Sequence, residues 1–213
     1  FDRSMIMSYG QDDRVCAYTS LAAMLGTDAE LEKTACCLLV DKEEIGSVGA
    51  TGMQSKFFEN VVAEIISLEG DYNDLKLRRC LANSKMLSSD VNAGYDPLFA
   101  DAFEKKNASF CGRGVVFSKF TGSRGKSGSN DANAEYIAKL RKIMDDNNVH
   151  YQMAELGKVD VGGGGTIAYI MSLYGMEVID CGVAILNMHA PWEIASKADV
   201  YEAKKCYEAF LKN

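Results

Sequence analysis

The sequence predicts an α/β protein, a three-layer α/β/α sandwich around a mixed, mostly parallel sheet. Apolar runs of strand length alternate with segments whose apolar residues recur at helical spacing, the order that covers a sheet with helices on both faces. Hydrophobic residues make up 47% of the 213 residues, enough to fill a sizeable core. Acidic or imidazole residues stand where three of the expected strands run out. Asp41-Lys42-Glu43-Glu44-Ile45-Gly46-Ser47 follows Ala35–Val40, Asp90 follows Lys85–Ser89, and Met188-His189 closes Glu177–Asn187. In open α/β sheets, ligands bind in the crevice beyond the carboxyl ends of the strands.

Taken in order, Asp12–Leu25 carries Val15, Tyr18, Leu21, Ala22 and Leu25 at helical spacing and stops at Gly26-Thr27-Asp28. Lys33–Val40 reads as a buried strand. Phe57, Val61, Val62, Ile65 and Ile66 mark a helix that ends at Gly70. Residues 71–83 suit a short helix or a loop, and Lys85–Asp90 a strand. Asp96-Pro97 signals a turn or a helix start. Gly114–Phe120 is strand-like, Thr121–Asn130 reads as a long Gly/Ser loop, and Asp131–Asp145 is a helix with Ile137, Leu140, Ile143 and Met144 on one face. His150–Leu156 is a short strand. Gly162–Thr166 opens a helix through Tyr174 that Gly175 caps, Glu177–Asn187 is a strand, and Ala198–Leu211 is the last helix. No internal repeat or linker interrupts residues 1–213, which are expected to form a single-domain segment.

Composition narrows the function classes. Thirty acidic against 23 basic residues give a net charge of −7, which does not suit a phosphate backbone, so nucleic acid is not an expected partner. No apolar run approaches the roughly 20 residues that span a bilayer, so no membrane partner is expected either. The seven cysteines show no CxxC spacing and mostly lie in apolar runs. They read as reduced core thiols of a cytoplasmic protein. The chain begins at Phe1, and Arg3–Met7 reads as the middle of a domain, so a piece of a longer protein is expected.

Carboxylates and a histidine gathered at strand ends have the makings of a divalent-cation site. Crowded like charges raise each other's pKa, and a cation relieves that by binding one carboxylate and leaving its neighbour as a base. Glu43-Glu44 suits such a pair, although a solvated acidic turn has the same sequence. Asp12 and Asp13 lie at a helix start, where they could simply cap it. His189 precedes a Pro-Trp turn, whereas His150, with no acidic neighbour in sequence, reads as structural. The segment Gly122-Ser123-Arg124-Gly125-Lys126-Ser127 fails as a P-loop, because Phe120 stands where the first glycine is needed. That loop could still line a site with Lys119, Arg124 or Lys126. Gly162–Thr166 offers backbone N–H groups to an anion or a tight turn, and the two are compatible.

In order along the chain, Gln11–Cys16, Asp41–Ser47, Ser89–Asn92, Lys119–Asn130, Asp160–Thr166 and Met188-His189 together resemble the M18 metallo-aminopeptidases, the aspartyl aminopeptidase and aminopeptidase I group, with the bacterial branch nearest. The resemblance covers essentially the whole chain. It implies removal of the N-terminal residue of peptides at a dinuclear metal site, most simply zinc, with Mn or Co as alternatives. It implies that Asp12 bridges two metals, that Glu44 and His189 complete one ion, that Asp90 binds the other, and that Glu43 is the general base. Asp41 receives no role. Lys119, Gly163, Gly164, Thr166 and Met188 are implied to contact substrate.

The same resemblance implies a large homo-oligomer. Two departures stand out. The family's upstream His-x-Asp motif and inserted dimerisation domain have no counterpart here, so the second ion would lack a ligand. Asn92–Asp96 replaces a histidine-rich stretch found in some members. The alternatives are a non-catalytic binding or assembly subunit of the same fold, or another dinuclear hydrolase of the clan, such as a carboxypeptidase or deacylase.

Overall fold

The computed structural model describes residues 3–124, 127–158, 160–165 and 167–213. In chain order the elements are β1 (Met5–Ser8), α1 (Gln11–Leu25), α2 (Phe57–Glu69), α3 (Asp74–Asn83), β2 (Lys85–Ser89), β3 (Asn92–Ala93), β4 (Val115–Ser118), β5 (Phe120–Ser123), β6 (Ser127–Asp131), α4 (Ala134–Asp146), β7 (Tyr151–Ala154), α5 (Ala168–Ser172), β8 (Glu177–Gly182), β9 (Ala184–Leu186), β10 (Glu193–Ser196) and α6 (Lys197–Leu211). Short 3-10 turns occupy Glu43–Ile45 and Pro97–Ala102, the second capped by Asp96, whose Oδ1 accepts from Leu98 N–H at 2.8 Å.

The central sheet has the order β2-β8-β4-β7. β2 pairs parallel with β8 and β4 parallel with β7, while β4 and β8 are antiparallel, so the sheet is mixed and mostly parallel as expected. Alternation along its strands makes the three layers. Leu87 and Ile179 face a core with Val15 of α1, Leu140 of α4 and Tyr207 of α6. Their neighbours Met86 and Val178 face the opposite core, with Val62 of α2, Leu81 of α3 and Met171 of α5. Each layer of helices therefore closes one face. Among the described residues, no helix is long and apolar enough to cross a membrane.

Four elements differ from the expectations. Lys33–Val40 is extended, but among the described residues it belongs to no ladder. Leu38 and Val40 pack on the α2–α3–α5 core while Leu39 stays exposed. Strand-forming residues without an adjacent backbone edge keep only their side-chain contacts. Thr121–Asn130 is not a loop, because β5 and β6 form an antiparallel hairpin across it. Its inward residues are polar and therefore invisible to an apolar pattern. Thr121 donates to Asp180 Oδ2 at 3.0 Å, and Asn130 Nδ2 donates to the Val178 carbonyl at 3.0 Å.

The helix expected from Gly162 starts only at Ala168 and ends at Ser172. Successive glycines are poor helix formers, and Gly163 takes a positive φ of 93° beside the Gly122 carbonyl. The strand Glu177–Asn187 breaks at Val183, so that β8 belongs to the central sheet and β9 to a second one, β1-β10-β9-β3. β1 and β10, which pair antiparallel with each other from Met5↔Ser196 to Ser8↔Glu193, lie outside every strand predicted from sequence. The core-thiol reading holds for Cys16, Cys181 and Cys206 only. All seven cysteines are free, but Cys36 and Cys80 are exposed.

Candidate metal centre

Three segments converge, but only two of them follow strands: β1 leads to Asp12 and β9 to His189, whereas Glu43-Glu44 follows residues 33–40, which join no ladder among the described residues. β1 runs into Gly10, whose positive φ of 68° turns the chain into α1. The first residues after Gln11 are not helical, with Asp12 at φ −82°, ψ 106° and Asp13 at φ −120°, ψ 44° across a cis peptide bond. Gly10 has no side chain to cap this helix, but the Asp13 carboxylate accepts from the backbone N–H of Cys16, the bond of a helix N-cap, so the capping role suggested by its position is filled by Asp13. Beyond the extended segment, Lys42 and Gly46, both with positive φ, bracket the Glu43–Ile45 turn. After β9, Asn187 and His189 both take positive φ, and the histidine is turned towards the other two segments.

His189 Nε2 lies 3.0 Å from Asp12 Oδ2 and 3.2 Å from Glu44 Oε1. The three donor atoms lie within 4.8 Å of one another. Asp12 is mostly buried, whereas Glu44 and His189 open to solvent. Asp41 is turned away, taking a bond from Thr51 and one from Lys42 at 2.9 Å, which hold its carboxyl below the usual range.

Deeper in the crevice, carboxylates accumulate. Burial, with Glu44 and Glu193 nearby, pushes Asp12 up to about 6 despite the opposing His189. Burial and the Glu44 and Asp12 charges push Glu43 up to about 7. Asp13 is raised to about 8 by burial and by Asp12, and its Oδ1 is buried with no hydrogen-bond partner among the described residues. Asp90 is only partly buried as a residue, and desolvation of its carboxyl together with the Asp13, Asp12 and Glu43 charges holds that group well above the usual range. Gly182 makes room for Asp90, since a Cβ there would stand 1.8 Å from the Asp90 carbonyl oxygen. Asp90 thus shares the field of the Asp12 group but is not among the three clustered donors.

This arrangement fits a divalent cation. An N/O donor set of one imidazole and two carboxylates suits zinc. A cation bound among these donors would offset the mutual repulsion of the Asp12, Glu43 and Glu44 carboxylates.

None of the described residues expected to contact substrate belongs to the three-donor cluster. Lys119 forms an ion pair with Asp131 across the base of the β5–β6 hairpin. Gly163 packs against Gly122 and Leu156, and Gly164 against Leu156. Met188 is partly buried against the α1–α4–α6 core. Arg124 takes a positive φ in the hairpin turn. Thr166 and Lys126 lie outside the described residues.

Sequence reasoning missed Glu193. Its carboxylate is 2% exposed and accepts from the backbone N–H of Asp12 at 3.0 Å and of His189 at 2.8 Å. Only recognition of β10 would have pointed to it. Asp13 and Asp180 were likewise not singled out as part of the acidic cluster.

A three-layer α/β/α scaffold with an Asp/Glu/His donor set drawn from three converging segments has the architecture of a metal-dependent hydrolase. Residues 1–211 match the family described as Aminopeptidase I zinc metalloprotease (M18), and the chain belongs to the M18 family. It is 67% identical over its whole length to a probable M18 family aminopeptidase 1 of Clostridium acetobutylicum, covering 46% of that protein. It is 44% identical to the Thermotoga maritima counterpart over 99% of this chain and 47% of that protein.

Among solved structures it resembles aminopeptidase I from Clostridium acetobutylicum (TM-score 0.92, 64% identity, 100% of this chain and 45% of that one). It also resembles the M18 aminopeptidase from Thermotoga maritima (TM-score 0.94, 44% identity, 100% and 47%). The chain therefore spans about half the length of the relatives it matches.

Proposed function

We propose that this chain supplies most of the metal centre of an aminopeptidase that hydrolyses the N-terminal residue of peptides. The convergence of Asp12, Glu44 and His189 carries the reading. These three would hold one divalent ion, with zinc favoured by the donor set and by the family. Asp90, with Asp12 as the shared ligand, would hold a second whose donor set is incomplete within this chain.

Such ions acidify water towards neutral pH and polarise a carbonyl. Glu43, half-buried and raised to about 7, is poised to take a proton from the attacking water and return it to the leaving amine near neutral pH. Glu44 and Glu43 thus divide the work, the exposed one ligating and the more buried one moving the proton. Lys119, Gly163, Gly164, Thr166 and Met188 are proposed to position the peptide. A homo-oligomer is proposed because a neighbour of the same fold, from S. cerevisiae, is described as a dodecamer (TM-score 0.79, 25% identity). A cytoplasmic setting remains part of the proposal, in keeping with the free thiols.

The deciding experiment is zinc titration of the protein and of its Asp12→Ala and His189→Ala variants, followed by peptide hydrolysis with the full-length protein and added metal. Tight zinc binding lost in both variants supports the reading. A full-length protein that no divalent metal activates overturns it in favour of a non-catalytic subunit.

A further inference from the structure

We infer that Glu193 is a positioning residue of the metal centre, a buried carboxylate that sets two ligands from behind without touching the ion. This inference rests on the metal centre proposed above. Asp12 belongs to the entry of α1 and His189 to the loop after β9, more than 170 residues apart in sequence. Each element on its own leaves its ligand on irregular backbone, non-helical at Asp12 and at positive φ at His189. Glu193 ties the two together. Its Oε2 accepts from Asp12 N–H at 3.0 Å and its Oε1 from His189 N–H at 2.8 Å.

The clamp is itself anchored. Glu193 is the first residue of β10 and lies opposite Ser8 at the end of β1, the strand that leads into Asp12. A carboxylate is needed for this, since it alone among side chains of this size offers two acceptor oxygens and no donor. Bonds from N–H groups to an ionised acceptor are also stronger than neutral ones. The clamp thus fixes the backbone positions from which the Asp12 and His189 side chains project.

Glu193 also contributes charge. It raises the carboxyl of Asp12, as an extra anion close behind that ligand must. The same anion favours a cation in front. Partners of ligands placed in this way typically change metal affinity about 10- to 100-fold when removed.

The test compares zinc affinity, by competition with a chromophoric chelator, in the unaltered protein, Glu193→Gln and Glu193→Ala. Visible spectra of the cobalt-substituted proteins at saturating cobalt and melting temperatures of the metal-free forms complete the set. The glutamine keeps the volume but presents an N–H₂ to one of the two N–H groups. We expect zinc affinity to fall about 10-fold in Glu193→Gln, with an altered cobalt spectrum, and further in Glu193→Ala. Rearranged ligand geometry moves the cobalt bands, whereas a general loss of stability does not. If Glu193→Ala does not fold, Glu193→Gln decides alone. Zinc affinity and cobalt spectrum both unchanged in Glu193→Gln, while the unaltered protein binds zinc, overturn the inference and leave the metal centre standing. No zinc binding by the unaltered protein overturns the proposed centre, and the positioning role with it.

Discussion

The carbonyl oxygen of Asp90 occupies the space that a side chain at Gly182 would need, 1.8 Å from an ideal Cβ, with Cys16 Sγ a further obstacle at 2.9 Å. Asp90 follows β2 and Gly182 ends β8, so the close approach of these parallel neighbours depends on a residue without a side chain. Gly182→Ala must push Asp90 out of the crevice or open the β2–β8 pairing. The expected cost is on the order of 3 kcal/mol, read by chemical denaturation, together with weaker metal binding read by titration.

Adjacent carboxylates on the Asp41–Glu44 segment should behave differently. Asp41 is exposed and held by Thr51 and Lys42, away from His189. Glu44 lies 3.2 Å from His189 Nε2. Zinc affinity is expected to fall at least about 10-fold in Glu44→Gln, as for loss of a group that holds the metal, and to stay unchanged in Asp41→Asn. Equal effects of the two substitutions would contradict the geometry.

Asp199 is expected to matter for stability alone. Fully buried at the start of α6, it accepts from Gly112 N–H at 2.6 Å and Gly114 N–H at 2.7 Å. Removing it in Asp199→Ala strands both donors, at about 1–3 kcal/mol each. Thermal melting should show a loss of that order, with zinc affinity per folded molecule preserved.

Thiol accessibility gives a direct check on the two layers of helices. Native alkylation followed by mass mapping should label Cys80 and Cys36, which are exposed, and spare Cys16, Cys181 and Cys206, which are buried. The buried three should react only after unfolding. Labelling of Cys181 in the native state would be incompatible with the core that it shares with Tyr207.

Much of this was legible in the residues, for reasons that the structure explains. Ile137, Leu140 and Ile143 announced α4 because helical spacing brings such residues onto one packed face. In α1 the pattern found the helix but not its packed face, since Tyr18, Leu21 and Leu25 are exposed and Val15, Cys16, Thr19 and Ala23 are buried. His189 stood out at the end of an expected strand, whereas Asp12 and Glu44 were named as ligands through the order of motifs shared with the M18 family rather than through their local pattern. What stayed hidden depended on distant pairing. β1 and β10 are four-residue strands that exist through each other, across almost the whole chain. Glu193 inherits that invisibility, since its role depends on β10. The β5–β6 hairpin escaped notice because its inward contacts are made by a threonine and an asparagine. Lys33–Val40 misled in the opposite direction, since strand-like composition does not supply a neighbouring strand.

Residues 177–186 pass from one sheet to the other with a break only at Val183, leaving the first at Gly182 and entering the second at Ala184. Because side chains alternate along such a chain, gaining or losing one residue here would exchange inner for outer positions in one sheet or the other. Val178 and Ile179 would trade cores, or Ile185 would leave its own, and His189 would be carried off its mark. Length variation among natural or engineered versions of this protein should therefore avoid this stretch and gather in exposed irregular connections such as residues 28–32, where no strand register is at stake.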